Sequence, residues 1–327
     1  MRRQPMSAPR RRLARGLVGL GVSALCLIPR VITGQEAPQF RLGFSSSTFT
    51  DINENDAKAG IKVWARTLLK ERGLPVDPEP VILNDQKAIA QALRSGRIDA
   101  ITLNADEYWR LGKDLIAGPF IGGLNEGRIT EEYVLLVHQD SQIERIEDLR
   151  GRSLTLFHNS RLCLAPFWLD TVLVQSGFPR ATEFCQVTQN SKLSKVVLPV
   201  FFKQADACLV TRRGFKTMSE LNPQVSQRLK VLAASPELVP TGFCFRRDYH
   251  DPLKDVIVAE LARIKDTPAG AQILTLFQSG SLEAHPLSCL DSAFELLETH
   301  RRLCSETNST KASTASVAFD ETKGAMK

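Results

Sequence analysis

From Phe40 to about residue 300, short apolar runs alternate with longer stretches whose apolar residues recur every three to four positions. The runs "FRLGFS", "PEPVILND", "IDAITLN", "LIAGPFIGG", "EEYVLLVHQD", "SLTLF", "ATEFCQVTQ", "ADACLVT", "LKVLAAS" and "TGFCFRRDY" read as strands. The stretch "NENDAKAGIKVWARTLLKERG" reads as an amphipathic helix with Ala57, Ile61, Trp64, Leu68 and Leu69 on one face, polar caps at its start and Gly73 at its end. Further helices are expected at "QKAIAQALRSGR", "APFWLDTVLVQSG", "SKLSKVVLPVFFKQ", "RRGFKTMSEL", "PLKDVIVAELARIK", "PAGAQILTLF" and after Cys289. Strand-helix alternation with short polar connections predicts an α/β protein of open, mostly parallel sheets flanked by helices. Ligands of such sheets bind at the carboxyl ends of strands.

Polar clusters stand at five of those ends. They offer Ser45, Ser46, Ser47 and Thr48 in "SSSTFTD"; Asn104, Asp106 and Tyr108 in "NADEYW"; Asn159, Ser160 and Arg161 in "FHNSRL"; Ser191 and Lys192 in "TQNSKLSK"; and Thr211, Arg212 and Arg213 in "VTRRGF". Each alone is what a helix cap or loop requires. Three of them, however, put a cation at a helix start, where it opposes the helix dipole; an anionic ligand would reverse that sign. No dinucleotide glycine fingerprint, phosphate-binding loop, GxSxG elbow or Cys/His metal spacing is present, so neither cofactor nor metal is expected.

The formal charge of +6 belongs to one end of the chain. Residues 1–34 carry seven arginines and no acid; removing those from the 42 basic residues leaves 35 against 36 acids. The remainder shows no basic footprint for nucleic acid. The basic start, the short apolar run "GLVGLGVSALCLI" and the small residues before Gly34 read as an export signal over 1–34, with an uncleaved membrane anchor as the alternative. Six cysteines lie beyond it, at 163, 185, 208, 244, 289 and 304. Cys289 and Cys304 bracket a helical stretch that would hold them about 22 Å apart, too far to bond, and Cys185 and Cys208 sit in apolar runs that suit buried thiols. From about residue 305 the Ser/Thr/Lys-rich end reads as disordered.

The segment "EEYVLLVHQDSQIERIEDLRGRSLTLFHNS" resembles the second-lobe beginning of periplasmic substrate-binding proteins of phosphate, phosphite and phosphonate ABC transporters, and "KQADACLVT" with "LKVLAASPELVPTGFCFRRD" resembles their closing half. The resemblance spans about residues 40–280. It implies a type 2 periplasmic-binding-protein fold of two α/β lobes, 40–130 plus 245–303 and 131–240, joined by two crossing strands near 128–135 and 239–246, with the ligand between them. The family's Ser-Thr-Ser-Gly helix start aligns with Asn159, Ser160, Arg161 and Leu162, where Ser160 alone fits well. Its Gly-Ser-His loop aligns with Asn190, Ser191 and Lys192, and its strand-end acid falls near Thr211 and Arg212, where no acid stands.

The implied function is capture of a small anion, phosphate- or phosphonate-like, by an exported and monomeric protein that hands it to an ABC transporter permease. The candidate ligand-binding residues are Ser45, Ser46, Ser47, Thr48, Asn104, Tyr108, Asn159, Ser160, Arg161, Ser191, Lys192, Thr211 and Arg212. A ligand-sensing module for a membrane receptor would share every one of these features. An enzyme would need a nucleophile and base; Cys163 with His158 is the one pair near a strand end, and it lacks an orienting acid.

Overall fold

The computed structural model describes residues 39–50 and 53–306; the expected export signal, and the end of the chain from residue 307, lie outside the described residues. In chain order the first elements are β1 (Leu42–Ser45), α1 (Glu54–Arg72), β2 (Val81–Leu83), α2 (Gln86–Arg94), β3 (Ala100–Asn104), α3 (Ala105–Leu111) and β4 (Ile116–Leu124). A second series follows: β5 (Tyr133–His138), β6 (Ser153–Phe157), α4 (Ala165–Gln175), α5 (Ala181–Phe184), β7 (Gln186–Asn190), α6 (Leu193–Phe201), β8 (Ala207–Thr211), α7 (Arg212–Leu221), α8 (Gln224–Arg228) and β9 (Leu229–Ala234). The chain closes with β10 (Thr241–Arg246), α9 (Leu253–Ala262), α10 (Pro268–Leu276), β11 (Ser281–His285) and α11 (residues 291–306).

Helix α1 shows how the pattern becomes packing. Asn53 caps its start by accepting from Asn55 N, and Gly73 ends it at φ 66°, a left-handed conformation that glycine adopts without a Cβ clash. Ala57, Gly60, Ile61, Trp64, Ala65 and Leu68 are buried, and each large apolar side chain among them contributes about 1.5–3 kcal/mol by leaving water. Leu69 does not join that stripe: it is 40 % exposed, because one residue beyond Leu68 the helix has turned about 100° away. Gly60 allows α10 to approach, since a Cβ there would lie 2.8 Å from Leu276 Cδ1.

Two sheets result, ordered β11-β4-β10-β3-β1-β2 and β7-β6-β8-β5-β9. They are mixed rather than mostly parallel. Only β1/β2, β1/β3, β6/β7 and β6/β8 pair in parallel; β10 runs against β3 and β4, β11 against β4, and β5 against β8 and β9. The cause is the route of the chain. It leaves the first sheet after β4, builds the second, and returns into the middle of the first as β10, so the returning strand opposes its neighbours.

The two passages between sheets bond to each other: Glu131 N donates to Leu238 O at 2.8 Å, and Leu238 N donates to Glu131 O at 2.9 Å. Helix α11 packs against elements of both series. Its His300 ring stacks edge-on against Phe167 of α4 and lies 3.6 Å from Asp170, while Arg301 covers Trp109 of α3. Residues 181–184, expected inside a strand, form α5, so Cys185 sits at the α5/β7 junction. All six described cysteines are free.

Candidate functional site

The strand ends of the first sheet come together around a carboxylate. Ser45 Oγ donates to Glu107 Oε1 at 2.6 Å, Ser47 Oγ donates to Glu107 Oε2 at 2.9 Å, and Asn104 N donates to the same Oε2 at 2.9 Å. Asn104 Nδ2 adds a bond to Ser47 Oγ at 3.1 Å. The cluster has the chemistry of an anion cradle, and its anion is the chain's own side chain at the third position of α3. Tyr108 is buried in the core: its hydroxyl donates towards Ile101 O and Gly242 O, and desolvation lifts its pKa well above the usual phenol range. Thr48 is buried too, its hydroxyl bonded to Ser45 O at 2.7 Å, yet it reaches the wall of a cavity described below.

The strand ends of the second sheet are built differently. Asn159 Oδ1 accepts from Arg161 N at 2.8 Å, the turn that ends β6. This aims Arg161 out of its own sheet. Its Nη1 donates to Glu131 Oε1 at 3.1 Å, and its Nη2 donates to Phe277 O, Gln278 O and Ser279 Oγ at 3.2, 3.0 and 2.9 Å. A buried cation from the second sheet thus holds the turn after α10 of the first. Gln278 turns at φ 49°, strained for a residue with a Cβ, and successive carbonyls thereby face one guanidinium.

Thr211 caps α7 by accepting from Gly214 N at 2.9 Å, which leaves its hydroxyl proton available. The next two arginines diverge. Arg212 forms a two-pronged pair with Glu132, its Nη2 2.7 Å from Oε1, and this contact pushes its pKa up. Arg213 turns inward. Its only ion-pair contact among the described residues is Glu131 Oε1 at 3.6 Å, the oxygen that Arg161 already holds, and its guanidinium makes no hydrogen bond there. Ser191 and Lys192 are exposed at the start of α6.

Two cavities share walls at this point. A polar one of about 330 Å³ is lined by Asn159, Arg161, Thr211, Arg213, Thr217 and Gln278, with Phe157, Leu193 and Gly214. An apolar one of about 120 Å³ lies inside the first sheet's helix-covered core, and Thr48, Asn159, Ser160, Arg161, Gln278 and Ser279 are among its lining. Of the thirteen candidate residues, Thr48, Asn159, Ser160, Arg161 and Thr211 line one or both. Ser45, Ser46, Ser47, Asn104, Tyr108, Ser191, Lys192 and Arg212 line neither. Sequence reading missed Arg213, Thr217, Gln278 and Glu131 as wall or partner residues. Arg213 stood in the quoted motif, but only the register of α7 shows which of two adjacent arginines faces inward.

The Cys163 and His158 pair has no chemical support here. Cys163 Sγ donates to Pro240 O at 3.1 Å, and burial pushes its thiol up to about 12, so no thiolate forms near neutral pH. His158 is exposed. No group of three or more His, Cys, Asp or Glu able to hold a metal occurs among the described residues.

The architecture is that of known proteins. A binding-protein component of a phosphonate ABC transporter from Pseudomonas aeruginosa superposes with a TM-score of 0.55 at 16% identity, covering 88% of this chain and 98% of its own. A Xanthomonas citri protein bound to ATP gives 0.59 at 14% identity, covering 82% and 99%. A Prochlorococcus marinus protein in complex with methylphosphonate gives 0.53 at 13%, again covering 82% and 99%. These superpositions show the type 2 periplasmic-binding-protein fold. Comparison with curated protein sequences finds no match. The model of the ABC transporter phosphonate periplasmic substrate-binding proteins matches residues 47–285, a stretch that runs through both sheets. The chain therefore belongs to the family of periplasmic substrate-binding proteins of phosphonate ABC transporters, and its role is to bind a solute for such a transporter.

Proposed function

We propose that the solute is a small anion of the phosphonate or phosphate class, held in the polar cavity between the two sheets, and that the protein delivers it to an ABC permease as an exported monomer. In this reading residues 40–130 plus 245–303 and residues 131–240 act as two lobes, and 1–34 direct export. The family is periplasmic and works with a permease, and among the described residues no helix is long and apolar enough to cross a membrane.

The observation that carries the reading is Arg213. A guanidinium in a cavity, with no hydrogen bond among the described residues and a longer contact to a carboxylate oxygen already used by Arg161, is poised to take an anion through charge-assisted bonds. The Thr211 and Thr217 hydroxyls share its wall and supply further donors. Arg161 plays another part: it ties the second lobe to the first, so the anion is enclosed as the lobes close.

The test is a thermal-shift screen of the purified protein against phosphate, phosphite, methylphosphonate, alkyl sulfonates and carboxylates. An anion at about 100 times its Kd stabilises by about 2.7 kcal/mol, a clear rise in midpoint. A rise with phosphonate or phosphate that Arg213→Ala removes is the expected result. No rise with any anion, or a rise that Arg213→Ala leaves intact, overturns it.

A further inference from the structure

We propose that the bound anion is amphipathic: its head lies against Arg213 in the polar cavity, and a short alkyl or aryl tail enters the apolar chamber in the first lobe. The inference rests on the reading of the polar cavity given above and adds the class of substituent that the ligand carries.

Protein cores are close-packed, with few voids larger than a water molecule. This core, between the first sheet and helices α1, α9 and α10, nevertheless keeps a void of about 120 Å³. Phe44, Trp64, Ile121, Phe243, Ile273 and Phe277 are among its walls. A cavity of about 150 Å³ lined by such side chains stays dry and takes up benzene, so this chamber suits about four to six carbons. It is too small for a long acyl chain.

Part of the chamber's lining is polar, and three of those residues also line the anion cavity. Asn159, Arg161 and Gln278 line both spaces, and the Ser160 and Ser279 side chains stand beside them. A molecule crossing that shared rim would have its charged end among hydroxyls and a guanidinium, and its other end among aromatic and branched aliphatic side chains. Gly123 lets Ser279 come close beside this edge, for a Cβ there would lie 2.3 Å from Ser279 Oγ. A purely inorganic anion would use the polar cavity and leave the chamber without a role.

Calorimetric titration of the purified protein with methyl-, ethyl-, butyl-, hexyl- and phenylphosphonate tests this. Affinity should rise about fourfold per methylene, the equivalent of about 0.8 kcal/mol each, and level off by about six carbons. In Leu274→Trp, which fills the chamber from α10, the ratio of hexyl to methyl affinity should fall towards one; Ile121→Phe provides a second filling variant from the sheet side. Equal affinity for methyl- and hexylphosphonate in the unmodified protein overturns the tail site while the anion site stands. A chain-length gain that survives in a folded filled variant also overturns it. Binding of none of the series overturns the tail site, and the response to phosphate in the thermal-shift screen then decides whether the anion site stands. Should neither variant fold, the chain-length series on the unmodified protein decides alone.

Discussion

β1 and β3 of the first sheet end in hydroxyls and an amide, and so do β6 and β8 of the second. Both pairs of ends precede helical turns, and both look like anion cradles in one dimension. In three dimensions the first is occupied by Glu107, whose two carboxylate oxygens take Ser45, Ser47 and the Asn104 backbone. The second keeps Arg213 without a hydrogen bond among the described residues, beside Thr211 and Thr217 in an open cavity. The difference lies in what the donors have already been given. A polar strand end is a ligand site only where the chain has not supplied its own counter-group.

The largest expected effect falls on the residue that spends its charge across the lobes. Arg161→Ala leaves Glu131 buried with only the longer contact to Arg213, and removing one partner of a buried pair costs about 3–5 kcal/mol. We expect about 3 kcal/mol, the low end, because Arg213 can swing towards the vacated oxygen. Urea unfolding measures the loss. A change under about 0.5 kcal/mol would mean that Arg161 is no latch.

Arg213→Ala separates affinity from stability. Hydrogen bonds to charged groups contribute about 1.5–3 kcal/mol, so methylphosphonate should bind about 10- to 100-fold more weakly, with the melting midpoint of the free protein little changed. An unchanged Kd by calorimetry would erase the distinction between the two strand-end clusters.

Much of this architecture is legible in one dimension, and the boundary of what is legible has a physical cause. The alternation of elements, the Asn53 and Gly73 caps and the α1 stripe depend on residues a few positions apart, and they are read from the chain. The filled cradle is not, because Ser45 and Glu107 are 62 positions apart and nothing in "SSSTFTD" announces a carboxylate from another element. Arg212 and Arg213 are adjacent, and a helix turns about 100° between them; which one faces Glu132 and which faces the cavity depends on a start defined by Thr211. Strand β11, "SLEAH", carries no alternating stripe, because it lies at the edge of its sheet with no residue fully buried. The chamber left no trace at all: its walls read as ordinary core positions, and a void is a property of their sum.

Glu107→Ala turns the first cradle into a sharper test of the comparison. Ser45 and Ser47 lose their acceptor and should cost about 1 kcal/mol of stability, the low end for unpaired donors since hydroxyls can rotate towards other partners. The emptied cradle should then resemble the second lobe's, and acetate or formate should restore part of the lost midpoint in the variant and none in the unmodified protein. A variant indifferent to added carboxylate would show that donor geometry alone does not make the cradle a site.

Lys192→Ala should have the smallest effect. It is a cation at a helix start, as its sequence suggested, but it is exposed at the mouth of α6 and lines neither cavity. Surface substitutions of this kind stay within about 0.5 kcal/mol, and an exposed charge acts through screened solvent. Affinity for methylphosphonate at about 0.15 M salt should therefore change less than about twofold, and whatever change exists should vanish as salt is raised. A tenfold loss in Lys192→Ala would place the anion at the start of α6 rather than beside Arg213, and would reverse the assignment of the site between the strand ends of the second sheet.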